Sequence, residues 1–206
     1  MNSNKYEKMV APIIVMAAIT VFVCCCIKKP TSLGDWWGYV GNGISVATVL
    51  FGIYATLLWR INPFGKTPKL FGYFIGEIET SFKINGVKLK KKIKVRIKQT
   101  LFTIKVISKT NINESSSVAE ILREENGVKV LYYTYLTNPK TNERKSNPIQ
   151  YGTARMVVDD TKKINGRYWT TQSTVGDMFW RKVKKKEWTM ESVEEPNKTP
   201  LASLVR

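Results

Sequence analysis

Two apolar runs near the N-terminus constrain this chain more than any other feature. Met9–Ile27, MVAPIIVMAAITVFVCCCI, carries no charge, and Trp36–Trp59 is broken only by Gly, Asn, Ser and Thr. A hydrocarbon core of ~30 Å takes about 20 apolar residues in a helix, and small residues are tolerated where helices pack closely in lipid. Lys28–Asp35, KKPTSLGD, is a short polar link with a proline breaker. The pattern predicts a transmembrane hairpin. Lys5 and Lys8 would also suit the start of a cleaved signal peptide. However, no small-x-small cleavage site precedes Cys24, and a second apolar run follows at once. A buried helical pair of a soluble protein would show polar periodicity, which these runs lack.

Orientation follows from charge. Lys5, Lys8, Arg60, Lys66 and Lys69 flank the outer ends, against Lys28 and Lys29 in the link. The positive-inside bias places both termini, and the domain after the spans, on the cytoplasmic side of the membrane. Trp36, Trp37 and Tyr39 would lie at the far interface and Trp59 at the near one. The remainder is long enough for one domain with its own core. Residues 70–206 hold 26 Lys and Arg against 14 Asp and Glu, +12 of the chain's +17. That surplus serves solubility or attracts an anionic partner: a phosphate ligand, nucleic acid or anionic lipid. The three cysteines, Cys24–Cys26, sit together in the first run. The domain therefore carries neither a disulfide framework nor a zinc site.

Asn62–Lys69, NPFGKTPK, reads as a linker. Beyond it the chain reads as strands separated by short turns. Leu70–Phe82 is rich in Phe, Tyr, Ile and Thr, with Gly72 and Gly76 as bend or bulge positions. Asn85-Gly86 is a hairpin signal. In the next strand Val87, Leu89, Ile93, Val95 and Ile97 share one side. Lys88, Lys90, Lys92, Lys94, Arg96 and Lys98 share the other, a solvated cationic face that also blunts edge pairing. Gln99–Ser108 continues as strand, and Asn111–Ser117 reads as a polar turn. Val118–Glu125 is a short strand or a helical turn, and Asn126-Gly127 leads into the strand Val128–Thr137. A loop over Asn138–Pro148 precedes the strand Ile149–Val158. A third Asn-Gly, Asn165-Gly166, precedes Arg167–Ser173, and Gly176-Asp177 turns into Met178–Lys186. Glu187–Arg206 reads as a loosely held tail. The Asn-Gly pairs fall 41 and 39 residues apart, near a propeller-blade period, yet their flanks do not repeat. Seven strands stand out, and splitting Val87–Ser108 gives eight. Such a series predicts an up-and-down antiparallel barrel, able at eight strands to hold one small ligand.

No catalytic constellation emerges. The chain has no histidine, so no imidazole can activate its serines. Its carboxylates lack metal-site spacing, and glycine-rich phosphate loops are absent. The pattern predicts a binding protein without a cofactor rather than an enzyme. Tyr133 and Tyr135 share a strand face, as do Tyr168, Thr170 and Gln172. Tyrosine offers a stacking surface and a hydroxyl, and Thr170 and Gln172 add groups that can read base edges. Arg155, Arg167 and Arg181 could grip phosphate through two oxygens. Each tyrosine would equally suit a barrel wall, and each arginine the outer surface.

Certain segments then fall in a telling order after the membrane hairpin. They are QTLFTIKV at Gln99–Val106, SSS at Ser115–Ser117, LYYTYLTNP at Leu131–Pro139, YGTARM at Tyr151–Met156 and INGRYWTTQSTVGDMFWRK at Ile164–Lys182. This order resembles the two-transmembrane β-barrel effectors of bacterial anti-phage signalling, the Cap15 group of CBASS systems. The resemblance implies a fold of two transmembrane helices followed by an eight-stranded, lipocalin-like antiparallel β-barrel on the cytoplasmic side. It implies that the barrel senses a cyclic nucleotide, expected to be a cyclic dinucleotide, made by a partner CD-NTase cyclase. Binding would drive homo-oligomerisation and disruption of the inner membrane. The expected division is 1–61 hairpin, 62–69 linker, 70–186 barrel and 187–206 tail. The expected ligand-binding residues are Gln99, Tyr133, Tyr135, Thr153, Arg155, Arg167, Tyr168, Thr170 and Gln172. Tyr133→Ala is expected to weaken binding while the barrel stays folded. The alternative is a membrane-tethered barrel for a lipid or other apolar ligand.

Overall fold

The computed structural model describes residues 3–61, 67–84, 87–141, 148–191 and 193, with side chains for those from 13 onward other than 82–88. The chain divides into two compact units, 1–66 and 67–206. The first contains α1 (Ser3–Ile27), α2 (Leu33–Thr56) and a single 3-10 turn, Leu58–Arg60. Ser32 caps α2. Its hydroxyl accepts from the Asp35 amide, and the Asp35 carboxylate accepts from the Ser32 amide, so two end amides are satisfied before the apolar run begins. Among the described residues one helix, α2, is long and apolar enough to cross a membrane, and the described apolar part of α1 covers Ile13–Ile27. Gly43, Ala47, Phe51 and Ala55 form the buried side of α2, one residue per turn. Phe22, Ile27, Trp37 and Val49 are among the large side chains left exposed on the helices, an apolar surface suited to lipid rather than water.

The second unit is a closed barrel of eight strands, each antiparallel to the next. The strands are β1 (Gly72–Ile84), β2 (Val87–Gln99), β3 (Ile104–Lys109), β4 (Asn113–Glu125), β5 (Val128–Pro139), β6 (Gln150–Asp160), β7 (Lys163–Thr170) and β8 (Val175–Val183). β8 closes on β1 over pairs running from Tyr73–Val183 to Thr80–Gly176. Closure leaves no strand edge to aggregate. The eighth strand arises where the Val87–Ser108 run breaks. The Thr100 amide donates to the Thr103 carbonyl at 2.9 Å, and their hydroxyls meet at 2.7 Å, so a four-residue turn separates β2 from β3. At Asn126-Gly127 both φ angles are positive, +50° and +79°, the backbone that a two-residue hairpin turn requires.

Several turn and strand expectations differ from the structure. Asn165-Gly166 lies inside β7, opposite Val157 and Met156, rather than at a turn. Gly166 is needed there because a Cβ would come within 2.0 Å of the Arg155 carbonyl oxygen. The turn itself falls earlier, between Asp160 and Lys163. Gly176-Asp177 likewise lies within β8, and the turn before it holds Ser173 at φ +56°. The serine run Ser115–Ser117 belongs to β4, which is a strand throughout. Serine adopts the strand because its hydroxyls find partners in the sheet. Ser115 meets the Thr137 hydroxyl at 3.0 Å, and Ser117 Oγ accepts from the Val106 amide at 2.8 Å while donating to Glu120. Asn85-Gly86 lies outside the described residues. The first residues of the expected tail form α3 (Lys185–Met190), which packs on the barrel's outside. The Trp188 ring lies 5.2 Å from that of Tyr73 and under Lys94 Nζ, and Glu191 pairs with Lys92 at 3.1 Å.

Among the described residues, large buried side chains fill one half of the barrel. Phe74, Ile97, Leu131, Met156 and Ile164 are fully buried there, with Leu70 and Trp180, each worth about 1.5–3 kcal/mol by burial. Gln99 seals this end. Its Oε1 accepts from the amides of Leu70 at 2.7 Å and Phe71 at 3.1 Å, and its Nε2 donates to the Pro68 carbonyl at 2.9 Å. The chain entering the barrel is thereby tied across its floor. Gln99→Ala would strand buried backbone groups, and a loss of about 2–3 kcal/mol is expected in denaturant unfolding, with ligand affinity unaltered.

Candidate ligand site

The other half of the barrel is open. A cavity of about 410 Å³ opens there, within the range of small-molecule sites. Ile78 and Thr80 of β1 line it, with Leu89, Lys91 and Ile93 of β2, and Ser108, Thr110, Asn113 and Ser115 around the β3–β4 turn. Tyr133, Tyr135 and Thr137 of β5 form a second wall, with Gln150 at the start of β6. Tyr168 and Thr170 of β7, Gln172 and Thr174 of the following turn and Met178 of β8 complete it. Strand alternation explains the set. Every second residue faces inward, so the positions that carry core residues at the filled end carry hydroxyls, amides and tyrosines at the open one.

The tyrosines hold one another. The Tyr133 ring lies 5.6 Å from Tyr135 and 6.1 Å from Trp180, both tilted contacts. Burial, reinforced by Tyr135, pushes the Tyr133 phenol well above its ordinary range. Burial and the nearby Tyr168 raise Tyr135 likewise, and burial raises Tyr168 against an opposing hydrogen bond with Thr80. All three phenols therefore stay neutral at physiological pH and offer O–H donors without adding negative charge. Glycine makes room for the rings. A Cβ on Gly152 of β6 would come within 2.4 Å of the Tyr135 ring and hydroxyl, so the far end of the Tyr135 side chain lies over that residue.

The family model described as Cap15, cyclic dinucleotide receptor domain, matches residues 65–182. The chain belongs to the Cap15 family. A similar curated protein is the CD-NTase-associated protein 15 of Staphylococcus schleiferi, 31% identical over 152 residues. That alignment covers 72% of this chain and 81% of the relative.

The Cap15 barrel brings Tyr133, Tyr135, Tyr168, Thr170 and Gln172 together on the cavity wall. It does not bring the other expected residues there. Gln99 is at the sealed floor. Thr153 faces outward, its hydroxyl 3.1 Å from that of Thr134. Arg155 lies outside as well, between the inward Ala154 and Met156. Its guanidinium donates to the Tyr132 hydroxyl at 2.9 Å and to Glu125 at 3.0 Å. Glu125 raises the Arg155 pKa, and Arg155 in turn holds the Glu125 carboxyl below its ordinary value. Arg167 is exposed beside Asp177, and Arg181 pairs with Glu187 of α3 at 2.8 Å. These arginines belong to outer ion pairs because a strand residue's face is set by its parity, and each lies one step out of phase with the inward row.

Sequence reading missed Lys91, Thr80, Ser115, Thr137 and Gln150. For Lys91 a signal existed, since it is the one lysine of Lys90-Lys91-Lys92 in phase with Leu89 and Ile93. Tyr133 belongs to the core as well as to the cavity wall. It is 4% exposed and part of the core cluster, so Tyr133→Ala is expected to cost about 3–5 kcal/mol of stability and to unfold part of the population. Tyr133→Phe keeps the ring and isolates the hydroxyl, so a binding change in that variant reads the ligand contact alone.

Proposed function

We propose that this chain is a membrane-bound effector of CBASS anti-phage defence whose barrel binds a cyclic dinucleotide made by a CD-NTase cyclase. The observation that carries this reading is a cavity of about 410 Å³ inside the barrel of a family described as cyclic dinucleotide receptors. The cavity chemistry supports it. Tyr135 and Tyr168 offer faces on which bases can stack, and Thr170, Gln172, Thr137 and Gln150 offer neutral donors and acceptors for base edges and sugar oxygens. The curated relative's name associates that protein with a CD-NTase, which supports the same partner here. With no histidine in the chain, a receptor fits better than an enzyme.

In this reading the spans 9–27 and 36–59 both cross the inner membrane, 62–69 links them to the barrel, and 70–186 senses ligand on the cytoplasmic side. The excess of Lys and Arg at the outer ends of the spans supports that orientation. Ligand binding gathers barrels, raises the local concentration of spans, and lets weak helix contacts add up to membrane disruption and cell death. On α2, Gly38, Gly41 and Gly52 have open space beside them, and the Ser45 and Thr48 hydroxyls are satisfied within the helix. That leaves a close-packing surface for a second copy.

Calorimetry on the full chain in detergent micelles, titrated with cyclic di-AMP, cyclic di-GMP and cyclic GMP–AMP, tests the reading. Saturable binding of at least one is expected. No heat with any of them, together with uptake of a fatty acid, would replace it with the apolar-ligand barrel.

A further inference from the structure

The lysines of the barrel's outer surface fall into two groups. Along the outer face of β2 they have partners: Lys90 lies 3.5 Å from Glu79, Lys92 lies 3.1 Å from Glu191, and Lys94 stands over the Trp188 ring. Six other exposed lysines collect at the filled end of the barrel. Lys98 lies near the end of β2, Lys162 and Lys163 at the β6–β7 turn, and Lys184, Lys185 and Lys186 where β8 runs into α3. Strand order joins them into an arc. The Gly72–Ile97 and Tyr73–Val183 pairs set Lys98 and Lys184 on either side of the chain entering β1. The Lys182 amide donates to the Lys162 carbonyl at 2.7 Å, which brings the β6–β7 turn alongside. Three carboxylates stand along the same arc among the described residues. Glu187 is taken by Arg181 at 2.8 Å, Asp160 accepts from the Lys162 amide at 3.0 Å, and Asp159 accepts from the Asn165 side chain at 3.4 Å. Six lysines are thus set against two carboxylates that no cation holds.

We propose that this lysine arc docks on the anionic lipid headgroups of the membrane that the spans cross. The assignment rests on the membrane reading above and gives the barrel an orientation on that surface. Like charges crowded at one end of a domain repel one another until an anionic surface faces them. Each lysine that comes close to an anionic leaflet multiplies the docked population about fivefold. Covalent reach selects lipid over nucleic acid. Only residues 61–71 separate the last turn of the spans from β1. The end of the barrel where the chain enters therefore stays within about 40 Å of the last span, and the tether supplies lipid at a high effective concentration. The cavity opens at the other end. Docking by the arc turns its mouth away from lipid and towards the water from which a charged ligand arrives.

The test is hydrogen–deuterium exchange on the full chain in nanodiscs of phosphatidylcholine, alone or mixed with phosphatidylglycerol. In the anionic discs the amides of 161–163 and 184–186 are expected to exchange more slowly by about fivefold or more. Those of the cavity-end turn, 171–174, should exchange alike in both. Salt at about 1 M, where the screening length falls to ~3 Å, should erase the difference. A variant combining Lys162→Gln, Lys163→Gln, Lys184→Gln, Lys185→Gln and Lys186→Gln should lose the protection. It should keep the parent's melting temperature and bind cyclic dinucleotides in micelles as the parent does. The same five positions changed to Arg should keep the protection. Equal exchange in the two kinds of disc, or protection that survives the Gln substitutions, overturns the assignment and leaves the cyclic dinucleotide reading standing. Protection by a single-stranded RNA on phosphatidylcholine discs, with none from anionic lipid, would overturn it in favour of a nucleic-acid face. A chain that does not enter the discs overturns the membrane reading and this assignment with it.

Discussion

Gly76→Ala is expected to break open the seam that closes the barrel. Gly76 stands on β1 opposite Ile93 on one side and Trp180 on the other. A Cβ there would come within 1.8 Å of the Phe179 carbonyl oxygen and 3.0 Å of the Trp180 Cα. Both are backbone atoms of the facing strand, so no rotamer change relieves the clash, and β1 and β8 must separate. The consequences spread because Trp180, 2% exposed, packs in the core at that level, and because a barrel opened along one seam exposes two edges at once. Overpacking of this kind costs about 1–3 kcal/mol where side chains can yield. Here the cost should reach the top of that range or beyond, lowering the melting temperature by about 10 °C or more. Near-UV circular dichroism of the full chain in detergent measures it, through the tryptophan and tyrosine signals of the core. A melt unchanged from the parent would mean that the β1–β8 pairing has slack that the structure does not have.

The architecture was legible in the sequence because its determinants are local. A long uncharged run specifies a helix, and alternation with short turns specifies strands. An uninterrupted series of such strands has few ways to hide its edges other than closure. What escaped were features set by partners distant in sequence. Asn165-Gly166 has the composition of a turn, yet it pairs as strand with Val157 and Met156, and its glycine is required because the Arg155 carbonyl leaves no room for a Cβ. The serines of β4 look like a loop until Thr137 and Val106 supply their hydrogen bonds. Trp188 anchors α3 only because Tyr73 and Lys94 stand ready on the barrel wall.

The site shows the same division. Period-two reasoning sets Tyr133 beside Tyr135 and Tyr168 beside Thr170 from the chain alone, and the cavity wall holds all four together with Gln172 of the following turn. Arg155 and Arg167 rest on their chemistry alone, and strand parity places both on the outer face, beside Glu125 and Asp177. Gln99 has the right chemistry for a ligand but lies at the wrong end of its strand, where the incoming chain takes up its amide group. Lys91 was obscured by its neighbours. Three lysines in succession suggest a solvated surface, whereas on a strand the middle one must point the other way.

Gly152→Ala should do the converse of the seam substitution and remove ligand affinity while leaving the barrel standing. Its added Cβ would meet the Tyr135 ring, 2.4 Å from Cζ and the hydroxyl and 2.7 Å from Cε2. These atoms are the far end of a side chain, which can move at modest cost, where Gly76 faces immovable backbone. The ring, however, is hemmed in by Tyr133 on its own strand face, and the open direction is the cavity. A displacement of about 1 Å into a site of about 410 Å³ takes the place of ligand atoms, and misplacement on that scale is costly where stacking sets the geometry. Affinity for a cyclic dinucleotide is expected to fall about tenfold or more, with a stability change within about 1 kcal/mol. A double-mutant cycle with Tyr135→Leu makes the mechanism specific. Tyr135→Leu alone loses the stacking face. Adding Gly152→Ala to it should then cost little, because the ring that the methyl group would push is gone, and the two losses should fall well short of additive. Additive losses, or a Gly152→Ala variant that binds as the parent does, would mean that Tyr135 does not form the wall against which the ligand lies.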